Sequence, residues 1–173
     1  MKKLAELYED EIQVILAKYP DEQKRSAVMP LLYLAQRASG RISQEAMQEI
    51  AEILDIAITD VASIVGFYSL FHEEPGGRYR IQVCTDLPCA LRGADAFLRQ
   101  LCDLLGVEVG ETTADGLFTI EEVKCLAACH RAPVFQVQNG DGLEYHENQT
   151  IDTARLVIDE LRLRAQKPPG GAA

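Results

Sequence analysis

The chain has 173 residues, of which 47% are hydrophobic and 25% charged, and it carries a net charge of −10 at neutral pH. The apolar content is enough for a packed core, and the acidic balance excludes the basic face that nucleic acid or anionic lipid requires. No apolar run approaches the length of about 20 residues that spans a bilayer. The first residues turn acidic before an apolar signal segment can form, so we expect a cytoplasmic protein without direct membrane insertion.

Residues 1–74 are predicted to form a small helical bundle. Apolar side chains recur there at three- and four-residue intervals, which is typical of helices with one buried face. The first helix is interrupted by Pro20, and the second is closed by Gly40. Ser43 and Thr59 are the expected N-caps of the third and fourth helices. Short amphipathic helices with short connections favour a four-helix bundle.

Residues 75–166 are predicted to form a second domain around a mixed four-stranded sheet, and 167–173 a disordered tail, which makes the fold class α+β. Alternating side chains indicate the strands, and the helix between the first two implies a parallel β-α-β crossover. The residues 139–142 are a strong hairpin signal. The predicted strands are Arg78–Cys84, Leu117–Val123, Pro133–Gln138 and Leu143–His146, and the predicted helices are Ala90–Leu105 and Ile151–Arg164.

Four of the five cysteines form two pairs, Cys84 with Cys89 and Cys125 with Cys129, separated by 35 residues. Cys84 ends the first predicted strand and Cys125 ends the second. Because a right-handed β-α-β crossover makes these strands parallel, their carboxyl ends emerge at the same edge of the sheet. We therefore expect four sulfur atoms at one pocket, which is what a four-thiolate metal site needs.

Three kinds of chemistry are compatible with cysteine pairs in a cytoplasmic protein: zinc, an iron–sulfur cluster and a thiol–disulfide pair. The pairs have four and three intervening residues, whereas structural zinc sites and thiol–disulfide proteins often use two. A cluster with two irons is longer than one zinc ion and suits wider pairs. The residues favour a [2Fe–2S] cluster, and a zinc-stabilised structural module and a thiol–disulfide pair stay open as alternatives.

The other reactive side chains are expected to have structural roles. Cys102 lies beside the apolar stripe of its helix, so a buried thiol is expected. His130 follows Cys129 directly, but a Rieske centre needs two histidines in place of two cysteines. The sequence has no glycine-rich nucleotide motif, so we predict no catalytic residue and no binding of NADH or flavin by this chain unaided.

The segments around the cysteines, VCTDLPCALRGA (83–94) and GLFTIEEVKCLAACHRAPV (116–134), resemble the cluster motifs of the thioredoxin-like [2Fe–2S] ferredoxins. MPLL at 29–32 and VGFY at 65–68 narrow the resemblance to the small iron–sulfur subunits of respiratory complex I, the E subunits of bacterial NADH:quinone oxidoreductases. The resemblance covers nearly the whole chain. Ala127 departs from it, because the family commonly has glycine at this position.

The resemblance implies a four-helix bundle followed by a thioredoxin-like domain, with one [2Fe–2S] cluster on Cys84, Cys89, Cys125 and Cys129. It also implies a partner, the flavoprotein subunit that binds NADH and FMN, whose flavin exchanges single electrons with the cluster. The chain would then belong to an oxidoreductase and lie, through a larger membrane-associated respiratory complex, on the cytoplasmic side of the inner membrane. The equivalent subunit of an NAD-linked hydrogenase or formate dehydrogenase shares these motifs and is the alternative.

Aromatic side chains of the helical bundle are the candidates for contact with that partner. We expect Tyr33, Phe67 and Phe71 to be the residues concerned, because aromatic residues are enriched among interface anchors. For each of them, packing inside the protein is the alternative.

Overall fold

The computed structural model describes residues 3–166. The chain divides between Pro75 and Gly76 into two compact units, a helical unit and a unit that contains the sheet. The predicted disordered tail, 167–173, lies outside the described residues. Within residues 3–166, none of the helices combines the length and the apolar character needed to cross a membrane.

From residue 3 onward, the helical unit contains four α-helices and one 3₁₀ segment. Their apolar stripes share one core, in which Leu31, Leu32 and Ile50 are fully buried. Burying one such side chain contributes about 1.5–3 kcal/mol, and this packing stabilises helices that are too short to persist alone. The elements are α1 Leu4–Leu16, the 3₁₀ segment Asp21–Ala27, α2 Val28–Ser39, α3 Gln44–Leu54 and α4 Ile58–Phe67.

The first helix boundaries follow the expected local chemistry. α1 ends before Pro20, and Gly40 follows α2 with a left-handed φ of 72°. The Ser43 side chain accepts a hydrogen bond from the N–H of Ala46 at 3.2 Å, so Ser43 is the N-cap of α3. These three signals are local, and each acts within one turn of its own helix.

The prediction of Thr59 as the N-cap of α4 is wrong. The helix begins at Ile58, after Ala57 in an extended conformation, and Thr59 lies inside the first turn. A capping side chain is worth about 1 kcal/mol. Val61 and Val65 of α4 are buried in the core, and this packing stabilises the helix without a side-chain cap.

As far as residue 166, the second unit has four strands, three α-helices and one 3₁₀ segment. They are β1 Tyr79–Cys84, α5 Leu87–Ala90, α6 Ala94–Leu105, β2 Phe118–Val123, the 3₁₀ segment Cys129–Arg131, β3 Phe135–Asn139, β4 Gly142–His146 and α7 Ile151–Gln166. The sheet order is β2-β1-β3-β4. β1 and β2 are parallel, and the β1–β3 and β3–β4 pairs are antiparallel. This confirms the predicted mixed four-stranded sheet with its crossover and hairpin.

One face of the sheet carries the hydrophobic core of this unit. Tyr79, Ile81 and Val83 alternate along β1 and are all buried in that core. Leu101 of α6 and Ile158 of α7 belong to the same core. The two long helices, α6 and α7, therefore pack on one face of the sheet. This helical layer holds the carboxyl-terminal end of β1 in place.

One continuous helix was predicted over Ala90–Leu105, but the crossover between β1 and β2 contains two helices. α5 ends at Ala90 and α6 starts at Ala94, with Gly93 between them at a φ of 91°. Leu91 lies in the break and is 81% exposed. The left-handed glycine changes the direction of the chain, so Leu91 does not share a face with the residues of α6.

Candidate metal centre

The two cysteine pairs lie at the carboxyl-terminal edge of β1 and β2. The strands are parallel and Cys84 is in register with Val123, so both strands end at this edge. Cys84 is the last residue of β1, and its N–H donates a hydrogen bond to the carbonyl of Val134 at 3.1 Å. Cys125 follows the end of β2 by two residues. The crossover therefore places both cysteine segments beside each other, as the sequence predicts.

The first cysteine pair is held inside the protein. The Asp86 carboxylate caps α5 by accepting a hydrogen bond from the N–H of Leu87 at 3.0 Å. The N–H of Cys89 donates to the carbonyl of Asp86 at 2.8 Å. Cys84 and Cys89 are both 0% exposed. The strand end and the short helix thus place these two thiols out of contact with solvent.

The second cysteine pair is closer to solvent. Cys125 is exposed and Cys129 is half-buried, and their Sγ atoms are 3.9 Å apart. Between them Ala127 has a φ of 59°, in the left-handed region. That conformation costs a residue with a Cβ atom about 1–2 kcal/mol, which gives a physical reason for glycine at this position in the family. The pair therefore lies on a tight turn at the surface.

The thiols of the two pairs share one electrostatic environment. The pKa of Cys89 is raised to about 12, first by burial and then by a hydrogen bond with Cys84. The charges of Cys84, Cys129 and Cys125 raise it further. Thiolates that interact in this way repel one another unless a cation compensates their charge. Bound metal ions supply that charge and deprotonate a coordinating thiol outright, so the donor set fits an iron-containing group.

A polar network joins the two strand ends beside the cysteines. The Thr85 hydroxyl donates to Glu122 at 2.6 Å, and Lys124 Nζ lies 2.7 Å from the same carboxylate and 3.3 Å from the Thr85 hydroxyl. Lys124 and then Thr85 lower the pKa of Glu122. The network was not predicted from the sequence, because it depends on the register of β1 against β2 and no local motif marks it.

The loop after Cys129 is anchored by the segment that follows β4. The N–H of Asn148 donates to the carbonyl of Arg131 at 2.7 Å, and the N–H of Gln149 donates to the carbonyl of Pro133 at 2.9 Å. Arg131 also forms an ion pair with Glu147 at 3.1 Å. These contacts join the loop after Cys129 to the segment that follows β4.

Cys102 lies apart from the two pairs, on the buried side of α6 in the core of the second unit. It is 9% exposed, which agrees with the predicted buried thiol. Its pKa is raised by burial and by Glu108 and Asp103, with no contribution from another cysteine. His130 is exposed on the 3₁₀ segment. Within residues 3–166, no group of three or more His, Cys, Asp or Glu side chains surrounds a single metal-ion position.

The sequence profile of the thioredoxin-like [2Fe–2S] ferredoxin family matches residues 12–162. The chain belongs to this family. An NADH-quinone oxidoreductase E subunit of Rhizobium meliloti is 44% identical over 147 residues, which are 85% of this chain and 83% of that protein. The Thermus thermophilus protein named NADH-quinone oxidoreductase subunit 2 is 42% identical over 159 residues, which are 92% of this chain and 85% of that protein.

A solved structure shows the same fold. A chain of an NAD⁺-reducing [NiFe]-hydrogenase in the H₂-reduced state superposes with a TM-score of 0.63 over 80% of this chain, at 22% identity. The present chain spans 22% of that hydrogenase chain. The family match and this likeness confirm the predicted fold class. The family also confirms the [2Fe–2S] cluster as the cofactor, while the four individual ligands stay a prediction.

Proposed function

We propose that this chain is the electron-transfer subunit of an NADH:quinone oxidoreductase and holds one [2Fe–2S] cluster on Cys84, Cys89, Cys125 and Cys129. The observation that carries the proposal is the position of both cysteine pairs at one sheet edge. It is supported by 44% identity to a protein that bears the name of the small E subunit of such an enzyme. The cluster would exchange single electrons with the FMN of an NADH-binding partner subunit, on the cytoplasmic side of the inner membrane.

The two cysteine pairs would hold the cluster in different surroundings. Cys84 and Cys89 would bind it from the buried side, within an apolar cluster that includes Ala128 and Val134 and excludes water. Cys125 would bind it from the exposed side. When bound, a [2Fe–2S] cluster supplies one-electron storage at a potential set by charge, hydrogen bonds and solvent exposure. This chain's residues would therefore set the charge, the hydrogen bonding and the solvent exposure of the cluster. The side of the cluster bound by Cys125 would be the one nearest to a partner.

The partner is required because the chain has no nucleotide motif with which to accept a hydride. Phe67 is 80% exposed at the end of α4 and Tyr33 is 47% exposed, so both can contact another protein. The expectation for Phe71 is wrong: it is 6% exposed, with its ring 5.0 Å from that of Tyr33. Phe71 is thus a buried residue that packs against the exposed Tyr33.

Metal analysis tests the cluster assignment. The purified chain should contain about two irons and two sulfides, with a visible absorption spectrum that a zinc site lacks. Cys84→Ser and Cys125→Ser should lose most of that absorbance, whereas the matched variant Cys102→Ser should keep it. Zinc in place of iron, or loss of the cluster in Cys102→Ser alone, would contradict the assignment.

Anaerobic spectroscopy with NADH tests the electron-transfer role. The chain alone should stay oxidised, and addition of the NADH- and FMN-binding subunit should reduce the cluster and give a complex on gel filtration. Phe67→Ser should weaken that complex, and Val14→Ser, which changes another exposed apolar side chain of the helical unit, should not. Rapid reduction of the isolated chain by NADH would reveal a nucleotide site and overturn the proposed division of labour.

The alternative is the equivalent subunit of an NAD-linked hydrogenase or formate dehydrogenase. The hydrogenase likeness is at 22% identity, against 44% for the Rhizobium meliloti relative, so the quinone-linked assignment is better supported. The complex isolated with this chain should oxidise NADH with a quinone. Oxidation of H₂ or formate with NAD⁺ by the same complex would support the alternative.

A further inference from the structure

Arg92 joins the loops of the two cysteine pairs. It follows α5, the short helix that contains Cys89, and its side-chain Nε–H donates a hydrogen bond to the carbonyl of Ala132 at 3.2 Å. Ala132 follows the 3₁₀ segment that begins at Cys129. Forty residues separate Arg92 and Ala132 along the chain, so this bond is a tertiary contact between two segments that the crossover brings together.

Three hydrogen bonds form a continuous path from Cys89 to Cys129 through these two residues. The N–H of Arg92 donates to the carbonyl of Cys89 at 3.0 Å, and the N–H of Ala132 donates to the carbonyl of Cys129 at 3.4 Å. The Arg92 side chain closes the gap between them. The backbone at Cys89 is therefore coupled to the backbone at Cys129 through this one side chain.

The Ala132 carbonyl depends on this contact. Ala132 is 4% exposed, in the apolar cluster that also contains Cys84 and Cys89. The neighbouring carbonyls of Arg131 and Pro133 accept hydrogen bonds from Asn148 and Gln149. Among residues 3–166, only Arg92 donates to the carbonyl of Ala132. A buried carbonyl without its donor is unfavourable, so loss of the side chain would destabilise the loop where it faces α5, although its contacts with Asn148 and Gln149 remain.

We infer that Arg92 is a positioning residue that holds the Cys89 and Cys129 loops at the spacing required by the cluster. The inference rests on the proposed ligand set. An arginine suits this role because its Nε–H is fixed in the plane of the guanidinium group, whereas a lysine ammonium on a flexible stem keeps the charge but not the direction. Substitution of Arg92 can therefore separate the effect of hydrogen-bond geometry from the effect of the positive charge.

The test uses the full chain with its cluster and three variants. Arg92→Lys keeps the charge, Arg92→Ala removes charge and donor, and Arg99→Ala is the control. Arg99 is exposed on α6, and its side chain forms no hydrogen bond or ion pair within the described part of the chain. The rate of cluster loss to an iron chelator is followed by absorbance, and the reduced cluster is examined by electron paramagnetic resonance. Circular dichroism checks the fold of each variant.

Both Arg92 variants should lose the cluster about five-fold faster than the unmodified chain, the factor that one hydrogen bond of ordinary net strength supplies. Both should also show shifted or broadened resonance lines, which a merely destabilised but undistorted site would not. Arg99→Ala should match the unmodified chain in both measurements.

Unchanged rates and spectra in Arg92→Lys and Arg92→Ala would overturn the inference, and so would an equal effect of Arg99→Ala. If Arg92→Ala does not fold, Arg92→Lys decides the matter alone. If only Arg92→Ala is altered and Arg92→Lys is not, charge rather than position is responsible, and the positioning role is refuted. An unmodified chain that binds no iron and sulfide would overturn the proposed function itself, and the inference with it.

Discussion

The Thr85 hydroxyl donates a 2.6 Å hydrogen bond to the Glu122 carboxylate, which joins the residue after Cys84 to the strand that leads to Cys125. Lys124, the residue before Cys125, lies 2.7 Å from the same carboxylate. The network therefore connects one cysteine of each pair, on the side of the site formed by the two strand ends. Its charged members, Lys124 and Glu122, are solvent-exposed, which limits the contribution of the network to stability.

Glu122→Gln should lower the free energy of unfolding by no more than about 1 kcal/mol, because exposed ion pairs are screened by water and salt. The measurement is urea denaturation of the unmodified and substituted chains at low and high salt. The difference between them should shrink as salt is added. A difference that is large and independent of salt would contradict the assignment of this network to the surface.

The same pair of chains should show a defined pH dependence. The pKa of Glu122 is held below its ordinary value of 4.5 by Lys124 and then by Thr85. A lowered pKa in the folded state means that the contribution is present above 4.5 and is lost as the pH falls through the folded-state pKa. The stability difference should thus be constant near neutral pH and shrink in acid. Cluster-free protein is used, because acid protonates thiolate ligands.

Thiol alkylation should distinguish the two cysteine pairs in the cluster-free chain. At about pH 8 iodoacetamide should label Cys125 and Cys129 first, because they are accessible and the thiolate is the reactive form. Cys84, Cys89 and Cys102 are buried and should react slowly, and the raised pKa of Cys89 slows it further. Peptide mass spectrometry over time gives the order. The urea-denatured chain, in which all five should react alike, is the control, and fast labelling of Cys89 in the folded chain would contradict the structure.

Ala127→Gly should stabilise the second cysteine loop. Ala127 has a φ of 59°, which glycine adopts without the cost that a Cβ atom brings. We expect a net gain of up to about 1 kcal/mol, because the strain that glycine relieves is partly offset by the larger backbone entropy that it loses on folding. The gain should appear as a higher denaturation midpoint with the visible spectrum retained. The matched control is Ala128→Gly, because the neighbouring alanine has a φ of −113° and gains nothing from glycine. It should be neutral or destabilising, and an equal gain from both variants would refute the argument from backbone conformation.

Cys102→Ser should leave the visible spectrum intact and cost about 1–2 kcal/mol, because a hydroxyl replaces a thiol in an apolar core. Cys102→Ala is the informative companion, since it removes the sulfur without burying a hydroxyl. Thermal denaturation at one scan rate compares the three chains. Loss of the visible absorbance in Cys102→Ala would show that the four ligands are assigned wrongly.

Much of the site could be predicted from the sequence, because its main determinants are local or follow from a rule of topology. Gly40 and Ser43 mark helix ends through their own backbone and side-chain chemistry, and the structure confirms both. The handedness of a β-α-β crossover places the ends of two parallel strands at one edge. Cys84 ends β1 and Cys125 follows the end of β2, so it could be inferred without coordinates that their segments lie side by side.

Contacts that depend on register and on the direction of individual turns could not be predicted in this way. Gly93 breaks the crossover helix and exposes Leu91, although the periodicity of the sequence continues through it. The contact of Arg92 with Ala132 joins residues 40 apart, and no periodicity, cap or motif encodes such a distance. Residue chemistry and strand order are enough to say which side chains can form the site and at which edge they meet. Which pair is buried, and which side chains hold the loops, follows from the packed fold, because burial and long-range hydrogen bonds arise from the whole arrangement of the chain.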